Sequence, residues 1–164
     1  MTPEQRARWV RLYEPSSYLM HVDAPTLFVN GPNDPRFFLD GHRRSTELVR
    51  PKLRHLAIIP GLKHGNLFAI PEVDRFIDAV LMGKGLPPQL TPPSVANGLA
   101  RSSVSALGGG GVAARAELHH AVATGPWAER KWTTIPATMN GNTLSAALPS
   151  ERPLHVYFSV LDAQ

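Results

Sequence analysis

A chain of 164 residues can hold one ordinary domain or two small ones and can bury a core. Its 43% hydrophobic and 18% charged residues are a globular balance; the absence of cysteine excludes disulfides and thiolate chemistry, and no apolar run approaches membrane-spanning length. The net charge of +4 favours acidic surfaces, but the arginines are scattered and no basic face is interleaved with aromatics, so neither nucleic acid nor membrane is expected as a partner.

Arginines interrupt the opening stretch "MTPEQRARWVRLYEP" and no apolar h-region follows, so it does not read as a signal peptide. Trp9, Val10 and Leu12, stopped by Pro15, predict a helix over 3–13 instead. "TLFVN" at 26–30, bounded by Pro25 and Gly31, reads as a strand buried on both faces. The polar stretch 41–50 predicts a helix stopped by Pro51, with Asp40 as its cap. "RHLAIIP" at 54–60 is a second buried strand. In "PEVDRFIDAVLMGKG", Pro71 suits the first helical position, and Val73, Phe76, Ile77, Val80 and Leu81 form one apolar stripe ended by Gly83. This alternation of strand and helix is the grammar of an α/β fold with a parallel sheet, here only its partial, doubly wound edge.

After Leu86 the pattern changes. "PPQLTPP" at 87–93, with four prolines in seven residues, reads as a semi-rigid linker. Beyond it the period is two: Leu118, His120 and Val122 alternate with Glu117, His119 and Ala121, and Leu154, Val156, Phe158 and Val160 share one face. "KWTTI" and "TLSAAL" are strand-like and separated by the turn signal "MNGN". The chain thus divides into an α/β part over 1–86, the linker over 87–93, and a small antiparallel β-sandwich over 94–164. Trp127 and Trp132 read as anchors of the β core rather than a carbohydrate platform. "GGGGVA" at 108–113 fits a dinucleotide fingerprint only formally, because no βαβ unit surrounds it, and is taken as a flexible turn. His119 and His120, neighbours on a strand, face opposite sides and do not form a metal site.

Two residues carry chemistry. Asp34 lies in the loop after the first strand and His64 in the loop "GLKHGN" after the second. Parallel neighbouring strands put both on one rim, outside the carboxyl ends of the strands, where a carboxylate can hold an imidazole in the tautomer that general-base work needs. The plainer readings are an Asx turn in "NGPND" and a solvated loop histidine.

The runs "YEPSSYLMHVDAPTLFVNGPNDPRFFLD", "GLKHGN" and "IPEVDRFIDAVLMGKGLP", in this order, resemble the C-terminal part of an α/β-hydrolase of the acetylxylan-esterase, dienelactone-hydrolase and prolyl-oligopeptidase-like group. "GPWAERKWTTIPA" and "AALPSERPLHVYFSVLD" resemble the Ig-like module appended to some of these enzymes. The resemblance implies Asp34 as triad acid, His64 as triad base, a small-molecule ester or acyl substrate, and no cofactor. The G-x-S-x-G elbow that presents the family's serine is absent, and Ser16, Ser17, Ser45, Ser102, Ser103 and Ser105 have no elbow around them. The expectation is a fragment, a truncated reading frame or one half of a split serine hydrolase, inactive alone, that self-associates or joins a complementing N-terminal half. The rival is a non-catalytic module in which the β-sandwich binds the ligand.

Overall fold

The structure is a computed structural model and describes residues 1–65, 69–105 and 113–162. Helix α1, Pro3–Tyr13, starts from a capping box in which Thr2 Oγ1 accepts the Gln5 N–H and Gln5 Oε1 accepts the Thr2 N–H. A short α2, Ser16–Leu19, leads to strand β1, Thr26–Asn30; α3, Leu39–Glu47, crosses to β2, Arg54–Ile58; and α4, Pro71–Met82, closes the α/β part. The two strands pair in parallel from Thr26↔Arg54 to Asn30↔Ile58, so both chain ends that carry loops emerge on one rim. Helix α4 begins with Pro71 in its first turn and stops at Gly83 in the left-handed conformation, as its sequence predicts.

Three expectations are corrected. The strands are not buried on both faces: only Asn30 of β1 and His55 of β2 are, and Leu56 is 49% exposed. A two-stranded sheet offers too little surface to cover its own helices, so the α4 stripe is also split, with Phe76 buried and Leu81 78% exposed. Helix α3 starts before Asp40, which lies in the first turn, where its charge suits the helix dipole; the cap position is Phe38, with no side-chain cap bond.

The second part is antiparallel: β3 Ser94–Ala96, β4 Leu99–Ser103, β5 Ala113–Val122, a 3₁₀ turn Trp127–Glu129, β6 Thr133–Asn140, β7 Thr143–Ala147 and β8 Leu154–Asp162. They form one six-stranded sheet in the order β3-β4-β7-β6-β5-β8. Strand β6 belongs to both halves: Thr133 to Ala137 pair with β5, and Thr138 to Asn140 pair with β7. The sheet therefore curls into a half-barrel, and its halves share one core as the faces of a sandwich do. Ala100, Leu144 and Ala146 from one half meet Ala116, Leu118 and Phe158 from the other. The face carrying Ala116 and Leu118 runs out toward the strand end, so Val122 is 42% exposed. Neither Trp127 nor Trp132 enters this core, contrary to expectation; both lie on the outer side of the sheet, Trp132 against Tyr157.

The hairpin β3–β4 was not anticipated, although its signal is local. Asn97 and Gly98 both take positive φ between Ala96 and Leu99, as a two-residue primed turn requires. The proline-rich stretch 87–93 is tied to both parts: the Gln89 amide donates to the Pro51 and Arg54 carbonyls, and Thr91 N–H donates to the Ser103 carbonyl. Residues 108–112 of the glycine run lie outside the described residues. Among those described, no helix is long and apolar enough to cross a membrane.

Candidate functional site

The acid loop is built from the end of β1. The buried Asn30 takes the Gly31 N–H on Oδ1 at 2.9 Å and donates from Nδ2 to the Phe37 carbonyl at 2.6 Å, closing residues 31–37 on themselves. Asp34 sits inside this loop, 6% exposed. Its Oδ1 accepts the backbone N–H groups of Arg36 at 2.7 Å and Phe37 at 2.8 Å. This is the Asx geometry that the sequence allowed. Oδ2 is left over, and it lies 3.0 Å from His64 Nδ1. The plain reading and the chemical one are thus two oxygens of one carboxylate.

His64 reaches that oxygen because the loop after β2 crosses close to Gly31. Ile59 N–H donates to the Asn30 carbonyl, Gly61 takes a positive φ, and a Cβ on Gly31 would fall 2.1 Å from the Leu62 carbonyl oxygen. Only glycine lets the two backbones approach so closely. The Phe37 ring rests against the imidazole at 5.5 Å.

Burial alone would raise the Asp34 pKa. The N–H groups of Phe37 and Arg36, with the His64 hydrogen bond and charge, outweigh it and hold the carboxyl below its ordinary value. An ionised carboxylate only accepts, so His64 Nδ1 carries the hydrogen, and in the neutral ring it is then Nε2 that presents the lone pair. The side chain of His64 is 44% exposed against 8% for Asp34, which leaves the base approachable.

A cleft of about 430 Å³ opens beside His64, lined by Asn33, Pro35, Gly61, Leu62, Lys63 and Ala128. A smaller one of about 180 Å³ lies over Asp34 and reaches His42. His42, which sequence reasoning passed over, stands in α3 with its ring edge-on to Phe28. Burial lowers its pKa, partly offset by the Asp34 carboxylate, so it sits by the acid as a neutral imidazole. Only the phase of α3 against β1 could have revealed it.

Four of the six serines considered above have their hydroxyls engaged elsewhere. Ser17 donates to the Val10 carbonyl, Ser45 to Gly41 and Ser102 to Thr91, while Ser105 accepts from Gln89. Among the described residues no hydroxyl bonds His64. His119 is buried with Nδ1 and Nε2 each 2.8 Å from a hydroxyl, Thr134 and Ser159, and its neighbour His120 is half-buried. The geometry therefore assembles an acid and a base beside an open cleft. Compared with protein-family models, with curated proteins and with solved structures, the chain matches none.

Proposed function

We propose that this chain carries the acid and base of a serine-dependent hydrolase acting on small carboxylic esters or related acyl compounds, and that the nucleophile and oxyanion hole are supplied by residues outside these 164. The observation that carries this reading is the 3.0 Å contact between Asp34 Oδ2 and His64 Nδ1, with Nε2 facing away from the carboxylate. His64 Nε2 takes the proton of the serine hydroxyl as its oxygen bonds to the ester carbonyl carbon. It then delivers that proton to the departing alkoxide, and the cycle repeats with water to free the acid. Asp34 holds the imidazole in the required tautomer and stabilises it once protonated. An acid and a base without nucleophile or oxyanion donors lack the largest contribution to acyl transfer, so the chain alone is inactive.

The rival reading, a non-catalytic module in which the β part binds the ligand, is favoured by the absence of G-x-S-x-G. One experiment separates the two. Hydrolysis of p-nitrophenyl acetate is measured for the chain alone, after mixing with a separately expressed N-terminal hydrolase half that carries the elbow, and for the same mixture with His64→Ala. The proposal expects activity only on mixing, and a loss of at least about a thousandfold with His64→Ala. A mixture that associates and stays inactive would overturn it.

A further inference from the structure

The two residues before Asp34 are both fastened to the β part. Trp127 Nε1 donates to the Pro32 carbonyl at 2.9 Å, across 95 residues of sequence. The Asn33 amide donates to the carbonyls of Arg130 at 2.8 Å and Ala128 at 3.2 Å, with that of Trp127 at 3.5 Å. These bonds clamp the acid loop onto the 3₁₀ turn and the residue after it.

That turn is itself rigidly seated. The Trp127 ring meets His155 of β8 edge-on at 4.9 Å and Phe38, just past the acid loop, at 5.7 Å. The Arg130 guanidinium lies 4.0 Å over the ring centre, a cation–π contact. Pro32, whose carbonyl takes the Trp127 Nε1–H, is fully buried. The same turn reaches the open cleft, because Ala128 and His64 both line it. One short segment thus touches the backbone on which Asp34 stands and the space a substrate would fill.

We infer that the turn 127–130 is a positioning element for Asp34 and a wall of the substrate cleft, so that the β part is a component of the active site and not an appended module. The inference rests on the hydrolase reading of Asp34 and His64. Asn33 and Trp127 are positioning residues: they act through the loop and touch no reacting atom. A displacement of about 1 Å in the acid would already break a hydrogen bond of 3.0 Å, and with it the tautomer of the base.

The test reads the tautomer of His64 directly, by two-bond ¹H–¹⁵N correlation on the full chain labelled at histidine, with no activity required. Four proteins are compared: the parent, Asn33→Ala, Trp127→Phe, and Leu144→Ala, which opens the β core without touching the acid loop. The parent is expected to hold the Nδ1–H form. Asn33→Ala and Trp127→Phe are each expected to shift the ratio of Nδ1–H to Nε2–H about fivefold toward Nε2–H, the net worth of one hydrogen bond. Leu144→Ala is expected to lower Tm and leave the ratio alone. If Asn33→Ala does not fold, Trp127→Phe decides, since it keeps an aromatic six-membered ring at the position while removing the Nε1–H donor and the five-membered ring that bears it. An unchanged ratio in the two loop variants overturns the inference, as does an equal change in Leu144→Ala, which would mean that general loosening is responsible. A parent without the Nδ1–H form would instead overturn the acid and base pairing, and so the proposed function itself.

Discussion

A single carboxylate explains why the acid loop reads in two ways. Oδ1 of Asp34 takes two backbone N–H groups and shapes the loop, while Oδ2 faces the imidazole. The shape and the chemistry cannot be separated at this residue, because the N–H groups that fix the turn also keep the acid ionised. Gly31 is the second decisive residue, since the Leu62 carbonyl occupies the place of any Cβ. Gly31→Ala must push the two loops apart, and an overpacking cost of about 2 kcal/mol is expected in urea denaturation. An unchanged midpoint would show that the loop after β2 yields freely.

Two glycines in helix and hairpin have opposite predicted effects when replaced, for backbone reasons. Gly98 sits at φ +72 in the turn between β3 and β4, where an L side chain is strained, so Gly98→Ala is expected to cost about 1 kcal/mol. Gly41 lies within α3 with open space where its Cβ would go, so Gly41→Ala is expected to stabilise by about 0.5 to 1 kcal/mol. Thermal melts of the two variants give the signs directly. Equal signs would contradict the opposite backbone conformations of Gly98 and Gly41. At the same scale, β6 shows how an element can serve two neighbours: pairing with β5 along its first part and β7 along its last, it forces the curl that closes the core. Pro136, opposite Glu117 of β5, lies before the stretch of β6 that pairs with β7, so it meets a neighbouring strand on one side only.

The whole molecule is unevenly finished. Among the described residues the β part holds the one cluster of buried apolar side chains, and β1 and β2 pair only with each other. Trp9, Tyr13, Ile77, Leu81 and Met82 are exposed on the helices around them. Open strand edges beside apolar surface favour pairing with another chain. The chain is therefore expected to scatter light as a species heavier than its 17.9 kDa monomer; a monomer with a cooperative melt would count against this.

Acid should also destabilise the whole molecule. Burial lowers the pKa of His42, His55, His119 and His155 from the ordinary 6.5. Between each folded value and 6.5 the unfolded chain holds a proton that the folded chain does not, so stability is full above 6.5 and declines as pH falls through the folded values. Asp34, whose carboxyl is held below its ordinary 3.8, adds a further loss at still lower pH, on the same sign. A Tm that falls from pH 7 to pH 5 is expected, and a flat profile would contradict the burial of these imidazoles.

Periodicity and punctuation sufficed to locate most elements. Pro71 and Gly83 bracket α4, the period of two marks β5 and β8, and Asp34 and His64 each follow a strand whose partner lies parallel to it. These features are local, since caps, turns and alternation act within a few residues. The Asn97–Gly98 turn was equally local and could have been read. Burial was not legible: Leu81 continues the apolar stripe of α4 and is exposed, while the polar Asn30 is buried, because both outcomes depend on what packs against them. Nor was the clamp of Asn33 and Trp127, whose partners lie more than ninety residues apart. Chain order alone placed an acid and a base on one rim; their 3.0 Å separation, and the turn from the β part that braces the acid, depend on contacts that exist only once the chain has closed on itself.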